Sequence, residues 1–210
     1  TPDTAEKRTA ESVAAQSELT PESADEVVTS PASVRAAAPI PDWMSRIQSM
    51  PTNGVCPDTS VREVNVANAD QLRTALASAL PGDHINLAAG TYSGNFELAA
   101  SGDQGKRIWI CGPRSAILDA GGIKNGSGLH ITGSYAGAWG ITVTNAQEGI
   151  VVDGGDFVQI DNVEVHTVGD DAIHFMGNAT DGVIQDSDIH YTGLRRGKSG
   201  EGILIGSAVS

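Results

Sequence analysis

The fold is decided by residues 129–175, which read LHITGSYAGAWGITVTNAQEGIVVDGGDFVQIDNVEVHTVGDDAIHF. Three apolar pairs recur in this stretch at intervals of 21 and 23 residues, namely Leu129/Ile131, Ile150/Val152 and Ile173/Phe175. The members of each pair are two positions apart, which is the period at which side chains of a β-strand return to the same face. Short strands that repeat at this interval predict a solenoid, in which each turn stacks its inward side chains on the turn before.

Pairs of the same type continue the series on both sides. They lie at Ile85/Leu87, Ile108/Ile110 and Ile203/Ile205, so that the six pairs are spaced 23, 21, 21, 23 and 30 residues apart. We expect all six pairs to stack in one column. The apolar pairs Ile141/Val143 and Val163/Val165 indicate a second column. Two columns that agree in their spacing predict an all-β fold, a parallel β-helix.

A helix is predicted immediately before the first of these strands. Asn68 can cap its N-terminus, with Gln71 at the third helical position, and Pro81-Gly82 ends it. One apolar stripe runs along the segment through Leu72, Ala75, Leu76, Ala79 and Leu80. Because the end of a β-helix exposes apolar side chains, we expect this helix to cap the N-terminal end of the solenoid.

Composition divides the chain into three parts. Residues 1–41 are rich in Ala, Ser, Thr, Pro and Glu without an apolar period, which predicts a disordered linker. Residues 42–67 form a short segment leading into the helix, and the apolar side chains of Trp43–Met50 are expected to dock on the first coil. The β-helix itself spans 68–210. Because no polar coil follows Ile203/Ile205, we expect the solenoid to be incomplete at its C-terminal end.

The net charge limits the partners that the protein can take. Lys and Arg number 13 and Asp and Glu number 26, which gives a formal charge of -13. Such a surface repels nucleic acids and anionic membranes, and no apolar run approaches the roughly 20 residues that span a bilayer. The chain begins at Thr1 and shows no signal peptide. We expect an exported monomer, secreted or at the cell surface, that binds neither nucleic acid nor membrane.

The two cysteines are placed where a disulfide would join the start of the chain to the solenoid. Cys56 precedes the first coil and Cys111 follows the second apolar pair. A disulfide between them would close a loop of about 55 residues and contribute roughly 2–4 kcal/mol to stability. Two separate buried thiols are the alternative. The position of the pair on either side of the first coil favours the disulfide.

Acidic residues recur at one position relative to the apolar pairs. Glu148, Asp171 and Glu201 each stand two residues before the first member of their pair, and equivalent positions on adjacent coils are about 4.8 Å apart. Asp170 adds a fourth carboxylate. Like charges at this separation need solvent, a proton or a cation between them, and calcium prefers such oxygen ligands. Calcium would therefore fit this column. The alternatives are a catalytic role for the acids and a row of solvated turn residues that cap backbone N–H groups.

Three stretches carry a resemblance to a known group of proteins. They are PGDHINLAAGTY at 81–92, AILDA at 116–120 and GEGILIGS at 200–207. These stretches resemble right-handed parallel β-helix proteins of the pectin-lyase-like superfamily. The resemblance covers residues 68–210 and implies the fold more specifically than the reaction, because the superfamily includes lyases, hydrolases, esterases, epimerases and adhesins.

The segment GEGILIG at 200–206 is also similar to the glutamate motif of polysaccharide lyase family 6, which includes alginate and dermatan-type lyases. In that family, glutamates help hold calcium, the metal neutralises a substrate carboxylate, and a lysine and an arginine transfer the proton. The resemblance implies that this chain engages an acidic polysaccharide and cleaves it by β-elimination.

The basic pair of that family follows the glutamate motif, and this chain ends before the corresponding coils. Lys198 and Arg196, in the basic turn before the motif, are the catalytic candidates within the chain. Arg195 in the same turn is a candidate substrate contact, as are His130 and His174. These two histidines point outward and could contact a sugar or a metal, with ordinary surface histidines as the alternative.

Two other functions stay open at this point. Polygalacturonases carry an Asp-Asp pair and, on the next coil, a Gly-His-Gly motif, to which Asp170-Asp171 and Gly200-Glu201-Gly202 are similar. Glu201 stands where that motif has its histidine, so we rank the hydrolase below the lyase. The remaining alternative is a non-catalytic module that binds polysaccharide or the cell surface.

Overall fold

The computed structural model of the protein describes residues 56–57, 60–195 and 200–206. Within these ranges the chain forms one helix and a series of short strands. In chain order they are β1 Arg62–Val66, α1 Ala69–Ala77, β2 Asp83–Leu87, β3 Gly90–Ser93, β4 Phe96–Leu98, β5 Ile108–Cys111, β6 Ala116–Asp119, β7 Ser127–Ile131, β8 Ala136–Trp139, β9 Thr142–Ala146, β10 Glu148–Asp153, β11 Gln159–Asp161, β12 Glu164–Val168, β13 Ile173–Met176, β14 Val183–Gln185, β15 Asp188–His190 and β16 Ile203–Ile205.

The strands form three parallel sheets that wrap one core. Sheet A has the order β1-β2-β5-β8-β11-β14, sheet B has β3-β6-β9-β12-β15, and sheet C has β4-β7-β10-β13-β16. From β2 onward the chain visits sheets A, B and C in turn, and each strand pairs with the strands one turn away. Inward side chains of the three sheets form one continuous apolar core. This arrangement confirms the predicted parallel β-helix.

The predicted single column of six apolar pairs is wrong in its first two members. Ile85/Leu87 and Ile108/Ile110 lie in β2 and β5 of sheet A, whereas the later four pairs lie in sheet C. In sheet C the pair that precedes Leu129/Ile131 is Phe96/Leu98 of β4. The error has a simple cause: strands on every wall of a β-helix share the same two-residue alternation. The alternation therefore identifies a strand without identifying its sheet.

The predicted second column is confirmed on sheet B. Val143 of β9 pairs with Val165 of β12, which pairs with Ile189 of β15. In the same register, His166 lies beside His190, and their rings stack with centroids 5.0 Å apart and planes 5° from parallel.

Left-handed residues turn the chain from sheet B into sheet C. Asn145, Thr167 and Tyr191 have φ angles of 50°, 57° and 53°, and each directly follows a residue that pairs across sheet B. This conformation is unusual for a β-branched residue such as Thr167, whose hydroxyl lies 2.8 Å from Nδ1 of His166. The repeated corner gives successive sheet C strands a common starting point.

The helix begins as predicted, although its apolar stripe is shorter. The Asn68 side chain accepts a hydrogen bond from the Gln71 N–H at 3.0 Å, and the Gln71 side chain accepts one from the Ala67 N–H at 2.8 Å. Leu72, Ala75 and Leu76 are buried, but Leu80 lies beyond the helix and is 56% exposed. Strand β1 lies within 42–67, where the sequence predicted only a lead-in segment. Capping of the solenoid end by this helix stays a prediction.

The predicted disulfide between Cys56 and Cys111 is confirmed. The two cysteines pack with Trp109 and Trp139 in a small apolar cluster separate from the main core. Trp109, Cys111 and Trp139 belong to β5 and β8, at positions that alternate with the inward side chains of these strands. The disulfide therefore ties the segment before β1 to the outer face of sheet A.

Two predictions lie outside the described residues. They concern the linker at 1–41 and the docking of Trp43–Met50. Within the described ranges, α1 is the only helix, and it is too short and too polar to cross a membrane.

Candidate functional site

The acidic column predicted from the sequence forms along one edge of sheet C. Ile150 pairs with Ile173, and Ile173 pairs with Ile203. Glu148, Asp171 and Glu201 stand two residues before these isoleucines, so they occupy equivalent places on three adjacent coils. Neighbouring strands are about 4.8 Å apart, which brings the three carboxylates within reach of one another.

Asp171 and Glu201 are joined directly. Oδ1 of Asp171 accepts a hydrogen bond from the Glu201 backbone N–H at 2.9 Å. The two carboxyl groups also share a hydrogen bond, and this bond, with some burial and the nearby Asp171 charge, raises the pKa of Glu201 above its usual value. A proton or a cation between two carboxylates relieves their repulsion. A proton or a cation is therefore stabilised between the carboxyl groups of Asp171 and Glu201.

His174 lies beside this column, one strand position beyond Ile173. Its residue surface is 9% exposed. Nδ1 lies 3.3 Å from Oε1 of Glu148 and 3.8 Å from Oδ2 of Asp171, while Nε2 lies 3.0 Å from the carbonyl oxygen of Gly206. Both close partners are hydrogen-bond acceptors. With both its nitrogens engaged and its ring buried, His174 is part of the acidic column, and its role as a substrate contact stays a prediction.

The charge environment of His174 favours its protonated ring. Burial lowers the pKa of His174, but the Gly206 carbonyl and the carboxylates of Glu148 and Asp171 outweigh burial, so that the pKa lies above its usual value. Without a bound cation, an imidazolium ring donates to both the carbonyl and the carboxylate. The surroundings of His174 thus favour a positive charge on its ring, which the sequence did not predict.

Asp170 does not join the other three carboxylates. Its Oδ2 accepts a hydrogen bond from Nη1 of Arg195 at 2.8 Å, and both side chains are mostly buried. Successive side chains of an extended chain point to opposite sides, which explains why Asp170 and Asp171 have different partners. Because its guanidinium is paired with Asp170, Arg195 is less available to bind a substrate.

The remaining predicted site residues are His130, Arg196 and Lys198. His130 lies on the outer face of sheet C, with a side chain 33% exposed and Nε2 3.8 Å from Oδ2 of Asp153. Arg196 and Lys198 lie outside the described residues. The described residues on either side of their turn are fixed beside the column, because Arg195 N–H donates to the Gly169 carbonyl and Glu201 N–H donates to Asp171.

Sequence reasoning missed a second polar network on the outer face of sheet B. Arg114 forms ion pairs with Asp188 at 3.0 Å and with Glu164 at 3.9 Å, and Glu164 accepts from Nε2 of His190 at 3.1 Å. A cavity of about 370 Å³ lies nearby, between the disulfide, Trp139 and Arg114. The spacing of residues in the sequence does not predict this network, because Arg114 lies in a turn and contacts strands two and three coils away.

The acidic column offers suitable donors for a divalent cation. One oxygen of Glu148, one oxygen of Asp171 and Nδ1 of His174 all lie within 4.8 Å of one another. Glu201 does not belong to this group, although its backbone N–H donates to Asp171. Carboxylate oxygens are ligands for calcium and other hard cations. The residues that the structure brings together therefore fit a cation site.

Solved structures share this coiled architecture. An alginate lyase from Paenibacillus sp. strain FPU-7 matches with a TM-score of 0.67 and 37% sequence identity, over 70% of this chain and 51% of that protein. The chain is a parallel β-helix protein of the pectin-lyase-like type. Pectate lyase Pel9A also matches this pectin-lyase-like chain, with a TM-score of 0.55 and 22% identity over 64% of the chain and 40% of that protein. The second likeness supports the fold alone.

The pectin-lyase-like chain spans about half the length of the alginate lyase and two-fifths of the pectate lyase. No family model matches its sequence, and no curated protein matches it. Assignment to the pectin-lyase-like fold therefore rests on the coiled architecture and on the identity with the alginate lyase.

Proposed function

We propose that this protein binds an acidic polysaccharide of the alginate type and cleaves it by β-elimination, with a divalent cation bound at the column of Glu148, Asp171 and Glu201. The acidic column on sheet C is the observation that carries the proposal. Sequence identity of 37% with an alginate lyase over 70% of the chain supports the same reaction class.

β-Elimination in a uronate chain removes the proton on the carbon next to the carboxylate, and the bond to the neighbouring sugar then breaks. A bound cation would neutralise the uronate carboxylate, which makes this proton easier to remove. Calcium is the cation that the family resemblance implies, and the carboxylate oxygens of Glu148, Asp171 and Glu201 would hold it. The chain contributes a column whose geometry is fixed by backbone pairing, so the carboxylates are already in place.

Proton transfer is the role we assign to Lys198 and Arg196. The described residues that flank them are Arg195, which donates to Asp170, and Glu201, whose backbone N–H donates to Asp171 of the acidic column. These two basic residues are proposed to act on a sugar bound at the column. His130, on the outer face of the same sheet, is proposed to contact the polysaccharide farther along the strands.

The geometry is less suited to glycoside hydrolysis. The resemblance to polygalacturonases depends on the Asp170-Asp171 pair. Asp170 accepts a hydrogen bond from Arg195 at 2.8 Å, and Oδ1 of Asp171 accepts one from the Glu201 backbone N–H at 2.9 Å. Both members of the pair therefore already have structural partners.

We also propose that the protein is exported. Its disulfide supports an oxidising compartment, and long acidic polysaccharides are substrates met outside the cell. The formal charge of -13 makes a bound cation useful in bringing a polyanion to the column.

Two product assays on the same samples test this function. The protein is incubated with alginate, pectate and dermatan-type polymers, with a divalent cation or with chelator, and both unsaturated uronates and new reducing ends are measured. β-Elimination produces both signals, whereas hydrolysis produces reducing ends without ultraviolet absorbance. Polymer binding without either signal would identify a non-catalytic module and overturn the proposed reaction.

A further inference from the structure

We propose that His174 is a direct ligand of the cation site, and that it makes the cluster of Glu148, Asp171 and His174 prefer a first-row transition ion such as Zn²⁺ over Ca²⁺. The inference rests on the proposed cation-binding role of this cluster. It does not require that the protein be a lyase.

The distances suit a small ion bound by nitrogen and oxygen. Zinc ligands lie about 2.0–2.2 Å from the metal, so atoms at two corners of its tetrahedron are roughly 3.3–3.6 Å apart. Nδ1 of His174 lies 3.3 Å from Oε1 of Glu148 and 3.8 Å from Oδ2 of Asp171. The first distance lies within this range, and the second is slightly longer and exceeds hydrogen-bond length.

The ring of His174 is oriented from outside the cluster. Nε2 lies 3.0 Å from the carbonyl oxygen of Gly206, which can only accept a hydrogen bond. A proton on Nε2 satisfies this contact and leaves Nδ1 facing the two carboxylates. Histidines that bind metals usually donate their other N–H to a carbonyl or carboxylate in this way. Gly206 therefore performs the orienting role without itself belonging to the cluster.

Burial and donor type favour the transition ion. The side chains of Asp171 and His174 are only 10% and 11% exposed, while that of Glu148 is 28% exposed. Calcium takes six to eight oxygen ligands and has little use for an imidazole. Imidazole suits zinc, copper, nickel and iron. Among the described residues, this cluster is the one in which such a nitrogen lies within 4.8 Å of two carboxylates.

Binding measurements on the full chain test the proposal without any polysaccharide. Chelator-treated protein is titrated calorimetrically with Zn²⁺ and, separately, with Ca²⁺, for the wild type, His174→Gln and His130→Gln. His130 is the matched control. It pairs with Val151, which pairs with His174 on its other side, so both histidines lie on the outer face of the same sheet, and His130 is not a member of the cluster. Cobalt can replace zinc to give a visible absorption spectrum that reports a nitrogen ligand.

We expect the wild type and His130→Gln to bind one Zn²⁺ at least about tenfold more tightly than Ca²⁺. His174→Gln should lose roughly tenfold or more of the Zn²⁺ affinity, while its Ca²⁺ affinity should change little. Equal Zn²⁺ affinity in His174→Gln and wild type would overturn the proposal, as would Ca²⁺ binding as tight as Zn²⁺ binding. Should His174→Gln fail to fold, ¹⁵N NMR of the wild-type imidazole decides. An Nδ1 resonance unchanged by Zn²⁺ rules the ligand out.

Discussion

Oδ1 of Asp171 accepts a hydrogen bond from the backbone N–H of Glu201 at 2.9 Å, across two adjacent coils. The side chain of Asp171 is 10% exposed, so this carboxylate is fixed by the fold before any ligand arrives. Asp171 thus contributes both to the contact between adjacent coils and to the negative charge of the candidate site. Substitutions at Asp171 can separate these two contributions.

Asp171→Ala should be less stable than Asp171→Asn. Alanine removes the acceptor of the Glu201 N–H, and a part-buried hydrogen bond of this kind contributes about 0.5–1.5 kcal/mol. The asparagine amide oxygen can still accept this hydrogen bond, although the negative charge is lost. Urea denaturation of the two variants measures the difference, and equal stabilities would show that the hydrogen bond contributes nothing to the fold.

The buried carboxylate of Asp83 should make stability depend on acid. Its side chain is 2% exposed and accepts hydrogen bonds from Nε of Arg62 at 2.8 Å and from the Leu80 N–H at 2.7 Å. Burial raises the pKa of Asp83, but Arg62 and the Leu80 N–H outweigh burial, so that the folded pKa lies below the usual value. The stabilisation is therefore complete above the usual carboxyl pKa and is lost as pH falls through the lowered one.

Asp83→Asn should consequently lower the free energy of unfolding at about pH 7, and the deficit should shrink as the wild-type carboxyl is protonated at low pH. Denaturant titrations of both proteins across the acid range check this. Asp70→Asn is the control, because Asp70 is 97% exposed in its pair with Arg73 and should change stability by no more than about 1 kcal/mol. A deficit of Asp83→Asn that is constant with pH would contradict the prediction.

Reduction of the disulfide should lower stability by roughly 2–4 kcal/mol, because the Cys56–Cys111 link closes a loop with a sequence separation of 55 residues. The measurement is the denaturation midpoint with and without reductant. A Cys56→Ser/Cys111→Ser double variant should already have the lower midpoint and should not respond to reductant. A wild-type midpoint that is insensitive to reduction would be the contrary result.

Gly137→Ala should destabilise the protein by about 1–3 kcal/mol or more, as expected for overpacking of a rigid core. A Cβ atom at Gly137 would lie 2.4 Å from the ring of Trp109, which is fully buried. Gly202→Ala is the matched control, since its Cβ would meet Ile189 at an ordinary 3.5 Å. Thermal denaturation of the two variants compares them, and similar melting temperatures would mean that Trp109 can shift.

The sequence predicted those features that depend on a constant spacing between residues of one strand. Glu148, Asp171 and Glu201 align because each stands at the same offset from an inward isoleucine, and pairing of the isoleucines then fixes the offset in space. The two cysteines were predicted to bond from their positions on either side of the first coil, and they do.

Features that depend on packing between coils were missed. The alternation of Ile85/Leu87 and Ile108/Ile110 is the same on every wall of the solenoid, so their sheet could not be assigned from sequence. His174 points away from the core and was expected to contact a sugar or a metal, without any partner within the chain. Its contact with Gly206, which is 32 residues away, turns it toward the acidic column, and no local pattern encodes that contact.

Cation-assisted β-elimination at the acidic column is tested by the ultraviolet absorbance of unsaturated uronates released from alginate. The absorbance is recorded with a divalent cation for wild type, Asp171→Asn and Glu97→Gln. Glu97 is an exposed carboxylate on the outer face of sheet C, away from the column. We expect a cation-dependent rise for wild type and Glu97→Gln, and a rate lower by about a hundredfold or more for Asp171→Asn. A flat trace for the wild type, or equal rates for Asp171→Asn and wild type, would show that the column does not support this reaction.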